Sequence, residues 1–164
     1  MPIMPKSRVT AVDADEDFRL WALLHQARDA IARAREHELR QADITMAKAT
    51  VLFFVKSLDG PVTPAKISRV LFREPHTISG LLDRMEAQGL VRRVRDLDRK
   101  NLVRIEVTEK GEEFYHRSRE KRRIISKIMS SLSKEEREAL WKSLTKLRNS
   151  ALKELDIKYR PPFP

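Results

Sequence analysis

The chain of 164 residues is long enough for one domain with a buried core, and it contains no cysteine, which excludes disulfides, thiolate metal sites and thiol redox sensing. The formal net charge of +10 favours a polyanionic partner, either nucleic acid or an anionic membrane surface, unless it serves only solubility. No apolar run approaches the roughly 20 residues of a membrane span, and the N-terminus lacks the apolar segment of a signal peptide. We therefore expect a disordered lead at 1–14 and a cytoplasmic protein without a membrane partner.

Two helices are predicted ahead of residue 60. The first runs from residue 15 to about 39, begins with acidic residues that suit a helix N-terminus, and carries an apolar stripe. The stripe consists of Phe18, Trp21, Leu24 and Ile31. The second begins after Thr45, a candidate N-cap, and ends at Asp59-Gly60-Pro61. Its predicted buried face is formed by Ala47, Val51, Phe54, Val55 and Leu58.

Two short helices and a tight turn are predicted between Thr63 and Gly89. Thr63-Pro64 combines an N-cap with proline at the first helical position, and Pro75 starts the following helix in the same way. Gly89 can end that helix in a left-handed conformation. The apolar residues of the two helices recur at helical spacing and are Ile67, Val70, Leu71, Ile78, Leu81, Leu82 and Met85.

The periodicity then changes to that of strands. Residues 90–94 and 103–107 are predicted to form a hairpin around a charged loop at 95–101. One helix is predicted from about residue 109 to 131, and another follows the capping-box pattern Ser133-Lys134-Glu135-Glu136. Apolar residues of this last helix recur at a spacing near 3.5, which favours packing against another helix of this chain or of a second copy. They are Leu140, Leu144, Leu147, Ala151 and Leu155.

Two short helices followed by a charged hairpin form the element order of a winged helix-turn-helix, which binds double-stranded DNA. The second short helix carries small polar groups near its N-terminus and a cation farther along, opposite its apolar face. Such groups reach base edges in the major groove, while cations and a helix N-terminus meet phosphate. The residues predicted to bind DNA from this helix are Glu74, Pro75, His76, Thr77, Ser79, Gly80 and Arg84.

Two features of this region have ordinary alternatives. Glycine inside a helix costs about 1 kcal/mol relative to alanine, so Gly80 indicates a close approach of the backbone to DNA or else tolerated drift in a surface helix. The hairpin cations Arg95, Arg99 and Lys100 indicate minor-groove binding or else an ordinary solvated hairpin. Since the hairpin follows a helix-turn-helix, we interpret it as a DNA-binding wing.

Residues from about 44 to 111 resemble the multiple-antibiotic-resistance regulator (MarR) family, through the stretches TISGLLDRME at 77–86, GLV at 89–91, DRK at 98–100 and VTEKG at 107–111. The resemblance implies a mainly α fold with a small β-hairpin wing. Helices at 15–43 and 109–158 would form a dimerisation region, and 44–108 the winged helix-turn-helix. It also implies a homodimer on a pseudo-palindromic DNA site, usually a repressor, which in many members is released by a small aromatic ligand.

Two residues depart from the family pattern. Lys100 stands where the wing motif usually has arginine, and lysine offers no planar fork, although the neighbouring Arg99 can substitute. Which of the two enters the minor groove is therefore left open. Glu74 is a weaker N-cap than serine and would repel phosphate, but its carboxylate can accept a hydrogen bond from a cytosine amino group.

The remaining candidate sites are weaker. The resemblance suggests a ligand pocket that includes Trp21, His25 and Phe54, although the first two residues also suit core packing. A basic run at 117–123 is interpreted as a solvated face rather than a second DNA contact. The chain shows no metal-binding spacing, cofactor motif or catalytic motif. We therefore expect a DNA-binding regulator and not an enzyme, with a nonspecific architectural DNA-binding protein and a protein-interaction module as alternatives.

Overall fold

A computed structural model describes residues 15–95, 102–120 and 122–157. Its elements in chain order are α1 (Glu16–Arg40), α2 (Met46–Ser57), α3 (Pro64–Leu71), α4 (Pro75–Ala87), β1 (Val91–Arg95), β2 (Val103–Val107), α5 (Glu109–Glu120), α6 (Arg123–Met129) and α7 (Lys134–Glu154). The arrangement is mainly helical with one antiparallel hairpin of β1 and β2, so the predicted fold class is confirmed. The expected lead at 1–14, loop residues 96–101 and position 158 lie outside the described residues.

The hydrophobic core joins α3 and α4 to α2, to the hairpin and to the start of α5. Leu52, Ile67, Leu82 and Met85 are fully buried there, and burial of each such side chain contributes about 1.5–3 kcal/mol. These contacts fix α4 in the domain. The predicted buried face of α2 is partly wrong. Ala47 is exposed, and the buried face includes Ala49 and Leu52, because α5 and β2 cover a second side of this helix.

The predicted helix starts are mostly confirmed by their caps. Asp15 accepts hydrogen bonds from the backbone N–H groups of Asp17 and Phe18, and Thr63 accepts one from Lys66. Ser133 and Glu136 form the reciprocal capping box of α7. Each cap satisfies backbone donors that have no partner within their helix, which explains why these helices begin where they do.

The single helix predicted over residues 109–131 is wrong, because the structure divides it into α5 and α6. The carboxylate of Glu38 in α1 accepts hydrogen bonds from the backbone N–H groups of Arg123 and Ile124, at 2.9 and 3.0 Å. The buried guanidinium of Arg35 donates to Glu38 at 2.8 Å and to the carbonyl of Ser118 at 2.7 Å. Glu38 thus caps a new helix, and Arg35 binds the end of the previous one.

The start of α5 is joined closely to the end of α4. The N–H of Thr108 donates to the carbonyl of Leu90, and the Thr108 hydroxyl accepts from the N–H of Gly111 at 3.0 Å. A Cβ atom at Gly111 would lie 2.0 Å from the same Leu90 oxygen and 2.7 Å from a methyl group of Val107. The backbones of α5 and of residue 90 therefore meet at a distance that only glycine permits.

Candidate nucleic-acid interface

The helix α4 has one buried face and one exposed face. Ile78, Leu82 and Met85 point into the core and are almost completely inaccessible to solvent. The side chains on the opposite face are exposed, except that Gly80 is half-buried. This exposed set, which contains every residue predicted to bind DNA from α4 except Gly80, consists of Glu74, Pro75, His76, Thr77, Ser79, Asp83 and Arg84.

The turn before α4 is held by the side chain of Ser68. Its hydroxyl donates to the carbonyl of Arg73 at 2.6 Å, and the N–H of Arg73 donates back to the carbonyl of Ser68. Phe72, within this turn, adopts a left-handed conformation with φ 51° and is 53% exposed. Glu74 occupies the N-cap of α4, and within the described part of the chain its carboxylate caps no backbone N–H. The side chains of the first turn of α4 are exposed, while the N–H groups of Thr77 and Ile78 donate to the backbone carbonyl of Glu74.

Gly80 lies next to the guanidinium of Arg84. The nearest atom to a Cβ built at Gly80 is Nη1 of Arg84, 3.7 Å away, which is an ordinary van der Waals contact. The side chain of Arg84 therefore bends back towards the N-terminal half of α4. An alanine at position 80 fits the DNA-free protein without a clash, so packing within the described chain does not require this glycine.

An ion-pair network that the sequence analysis missed connects α4 to β1. The guanidinium of Arg93 donates to Asp83 and to Glu86, both at 2.6 Å. The backbone N–H of Arg93 also donates to Glu86, at 2.8 Å. These hydrogen bonds, first from the backbone and then from the side chain, hold the pKa of Glu86 below its ordinary value of 4.5. The spacing of Asp83 and Glu86, three residues apart on one helix, was a sequence feature that could have indicated this network. Their common partner Arg93, however, lies beyond the turn that follows α4.

The lowered pKa of Glu86 gives a pH-dependent contribution to stability. A carboxyl whose pKa is lowered by folding stabilises the protein above its unfolded-state pKa and loses that contribution as pH falls through the folded value. The wild type is therefore expected to be more stable than Glu86→Gln at neutral pH, and the difference should shrink as pH falls below about 4.5. Urea denaturation of both proteins at a series of pH values measures it. A difference that stays constant into strong acid would contradict the assignment.

The wing is anchored at its base. Strands β1 and β2 pair from Val91 opposite Val107 to Arg95 opposite Val103, and the N–H of Ile105 donates to the carbonyl of Val62 at 2.7 Å. Arg95 is exposed at the last pair of the hairpin. The other two predicted wing residues, Arg99 and Lys100, lie outside the described residues.

An apolar groove of about 690 Å³ lies between α1 and α7. Trp21 and His25 both line it. Their rings are in contact at 4.2 Å between centroids with an interplanar angle of 47°, and Nδ1 of His25 lies 3.1 Å from the carbonyl oxygen of Trp21. The two residues are exposed, so core packing within the described chain does not explain them. The other residues that line the groove are Leu20, Leu24, Trp141, Leu144, Thr145, Leu147, Arg148 and Ala151.

Phe54 does not line this groove and instead packs against the core. The neighbouring Phe53 lines a second, smaller cavity of about 210 Å³ where α1, α2 and α5 meet. Arg35, Tyr115 and Arg119 contribute polar groups to its walls. This cavity is not predictable from a local sequence pattern, because its walls come from three separate segments of the chain.

No helix in the described ranges combines the length and apolar character needed to cross a membrane. The same ranges contain no group of three or more histidine, aspartate or glutamate side chains placed to hold a metal ion. His37 and His116 are exposed.

Known proteins with the same architecture are regulators of transcription. The MarR family model matches residues 42–108. The organohalide-sensing regulator RdhR, solved with 2,4-dichlorophenol, is 32% identical, with a TM-score of 0.76 over 93% of this chain and 90% of that chain. Oxidised MarR from E. coli is 25% identical, with a TM-score of 0.64 over 78% and 93%. MepR from S. aureus, solved with DNA, is 24% identical, with a TM-score of 0.72 over 84% and 99%.

The matches to solved structures cover the flanking helices as well as the winged module. The family model matches the winged module, whereas the alignment with RdhR extends over nearly all of both chains. No curated protein sequence matches the chain. The order of elements, the exposed polar face of α4 and the similarity to RdhR agree with one another, and the chain belongs to the MarR family of transcriptional regulators.

Proposed function

We propose that this regulator is a homodimeric repressor that binds a pseudo-palindromic operator with one winged module per half-site. The exposed polar face of α4, held rigid by its buried opposite face, is the observation that carries the proposal. Small hydrogen-bonding side chains on a fixed helix are what direct readout of base edges requires. MepR was solved as a DNA complex, which supports the same use of this fold.

Within the module, each group has a proposed role that follows from its position. His76, Thr77 and Ser79 read base edges in the major groove, and Glu74 accepts a hydrogen bond from a cytosine amino group. Arg84 contacts a phosphate. Arg95, with Arg99 and Lys100, serves the minor groove from the wing. The proposed DNA-binding domain is 44–108, and the proposed dimerisation region is 15–43 together with 109–158.

The groove between α1 and α7 supports the homodimer. Its walls are almost entirely apolar, and Trp21 and Trp141 are 52% and 59% exposed in the isolated chain. Contiguous apolar surface of this kind is uncommon on a monomer and marks an interaction site. A second copy of the same groove supplies a matching apolar surface through a two-fold axis.

The function is tested by selection from fragmented genomic DNA at about 150 mM salt, where nonspecific electrostatic binding is weakened. Recovery of a pseudo-palindrome with half-sites one helical turn apart supports the dimeric specific reader. Recovery of unselected sequence would favour a nonspecific architectural protein. Failure to retain any duplex, even at low salt, would favour a protein-interaction module.

Arg84→Ala is expected to weaken binding to all duplexes and to reduce the slope of log affinity against log salt by about one unit per half-site. The reason is that one phosphate contact releases about one counterion. Titrations at several salt concentrations measure the slope. Arg28→Ala removes the same charge from an exposed pair with Asp29 on α1, away from α4, and should leave the slope unchanged. An unchanged slope in Arg84→Ala would contradict the proposed phosphate contact of Arg84.

Gly80→Ala is expected to raise the free energy of unfolding by up to about 1 kcal/mol, because alanine favours helix and meets only Arg84 at 3.7 Å. Operator affinity should nevertheless fall about tenfold or more, since a methyl group costs about 1–3 kcal/mol where backbone and ligand are in close contact. Thermal denaturation and operator titration on the same protein separate the two effects. Undiminished affinity would show that the glycine at position 80 has no role in DNA binding and is only tolerated in a surface helix.

We further propose that a small aromatic ligand releases the protein from its operator by occupying the cavity between α1, α2 and α5. Its volume suits a single substituted ring, and Arg119 and Arg122 provide positive charge for a phenolate or carboxylate. RdhR was solved with 2,4-dichlorophenol, which has this chemistry. The probe is therefore 2,4-dichlorophenol in calorimetry and in an operator-release assay. If Trp21→Ala abolishes release and Phe53→Ala leaves it intact, the ligand binds in the α1–α7 groove instead.

A further inference from the structure

The wing and the recognition helix α4 are separated by a short connection. Gly89 ends α4 with φ 71°, and Leu90 bonds back to the carbonyl of Met85 at 2.9 Å. Strand β1 begins at the next residue. A two-stranded hairpin has little stability of its own in water, so its direction relative to α4 depends on contacts beyond this turn.

Arg93 supplies such contacts from the middle of β1. Its guanidinium spans two carboxylates one helical turn apart on α4, and its own N–H binds the second of them. The planar fork of arginine holds several acceptors in one fixed geometry, which the flexible ammonium of lysine does not. The side chain of Arg93 is 27% exposed and that of Glu86 is 38% exposed, so solvent competes less for this pair than for the Asp83 carboxylate, which is 63% exposed. Three short hydrogen bonds therefore bind one wing residue to the face of α4 that carries Asp83 and Glu86.

We propose that Arg93 is a positioning residue that fixes the angle between α4 and the wing, so that both reach their grooves in the same half-site. The proposal rests on the function proposed above. Arg93 need not touch DNA in this role, because it acts through Asp83 and Glu86. Without it, α4 can still enter the major groove, but the cations of the wing are no longer held over the neighbouring minor groove.

The neighbouring Arg92 provides a matched control. Its guanidinium pairs with Glu106 at 2.7 Å, so this ion pair lies within the hairpin and does not reach α4. Arg92→Met and Arg93→Met remove the same charge from adjacent positions of one strand. Only the second substitution removes the connection to α4.

The geometry is measured first without DNA. Since the chain has no cysteine, Thr77→Cys and Arg95→Cys introduce two spin-label sites, one near the start of α4 and one on the wing. Pulsed electron–electron double resonance is expected to give a narrow distance distribution for the doubly labelled protein, both with Arg92 and Arg93 intact and with Arg92→Met. Arg93→Met should broaden it, and Arg93→Lys should give an intermediate width. An unchanged width in Arg93→Met, or equal broadening with Arg92→Met, overturns the proposal.

The second measurement is footprinting on the selected operator with the cysteine-free protein. Arg93→Met is expected to keep protection of major-groove guanines against dimethyl sulfate and to lose protection of the flanking minor groove against hydroxyl radicals. Parallel loss of both protections in a folded variant would indicate a merely structural role and overturn the proposal. If Arg93→Met does not fold, Asp83→Asn with Glu86→Gln removes the same contacts from the helix side. If the wild type protects no duplex, the proposed function fails, and the spin-label distances still decide the positioning role.

Discussion

Gly111→Ala is expected to lower the free energy of unfolding by about 3 kcal/mol or more, at the upper end of the effects of overpacking. The added Cβ would lie 2.0 Å from the carbonyl oxygen of Leu90 and 3.0 Å from its carbonyl carbon. Both atoms belong to backbone, so no side-chain rotation relieves the clash. Separation of α5 from residue 90 would also strain the hydrogen bond from the N–H of Thr108 to the carbonyl of Leu90, which joins these segments. The loss is a large fraction of the total stability of a typical domain.

Urea denaturation followed by circular dichroism measures this effect, and Gly80→Ala is its control. The two substitutions are chemically identical and both lie within helices, where alanine is intrinsically favoured by about 1 kcal/mol. Their expected signs are nevertheless opposite, because Gly111 faces backbone and Gly80 faces only the movable end of Arg84. An unfolding midpoint for Gly111→Ala equal to that of the wild type would show that α5 and residue 90 can separate at little cost.

Leu147→Asp is expected to convert the proposed dimer to a monomer and to lower operator affinity by about 10²–10⁴-fold, the usual gain from joining two binding modules. Leu147 lines the groove between α1 and α7 and is 50% exposed in the isolated chain. A second copy seated there would bury the side chain. A carboxylate at this position would then be taken out of water without a partner, which is strongly unfavourable.

Sedimentation equilibrium and operator titration measure the two parts of this prediction. Asn149→Asp adds the same negative charge to another side of α7, where Lys142, Lys146 and Lys153 surround it. This control should leave both the assembly and the affinity unchanged. A Leu147→Asp protein that remains dimeric would exclude the groove as the dimer contact. A wild type that sediments as a monomer at micromolar concentration would exclude the homodimer itself.

The parts of the fold that could be predicted are those that short stretches of sequence determine. Pro75 and Gly89 define the ends of α4, and the spacing of Ile78, Leu82 and Met85 defines its inner face, so its exposed face follows directly. The capping box of α7 is equally local. These elements depend on residues within one or two turns of each other, which a pattern can capture.

The parts that were missed depend on partners far apart in the chain. No local sequence pattern near position 122 predicts the division between α5 and α6, because the capping carboxylate of Glu38 comes from α1. Asp83 lies on the exposed face of α4, but its pairing with Arg93 depends on how the wing folds back. The requirement for glycine at position 111 is also not predictable from local sequence, because the backbone that it contacts, at Leu90, belongs to another segment.

The capping of α6 by Glu38 has a consequence for the order of folding. A helix of seven residues is too short to persist alone in water, and its cap lies 85 residues earlier in the chain. During synthesis from the N-terminus, α1 is complete long before α6 exists. The chain must therefore lose the conformational entropy of closing that long loop before α6 gains its first cap. We therefore expect α6 to form late, after α1 has docked, and pulsed hydrogen exchange at Arg123 and Ile124 during refolding tests this order.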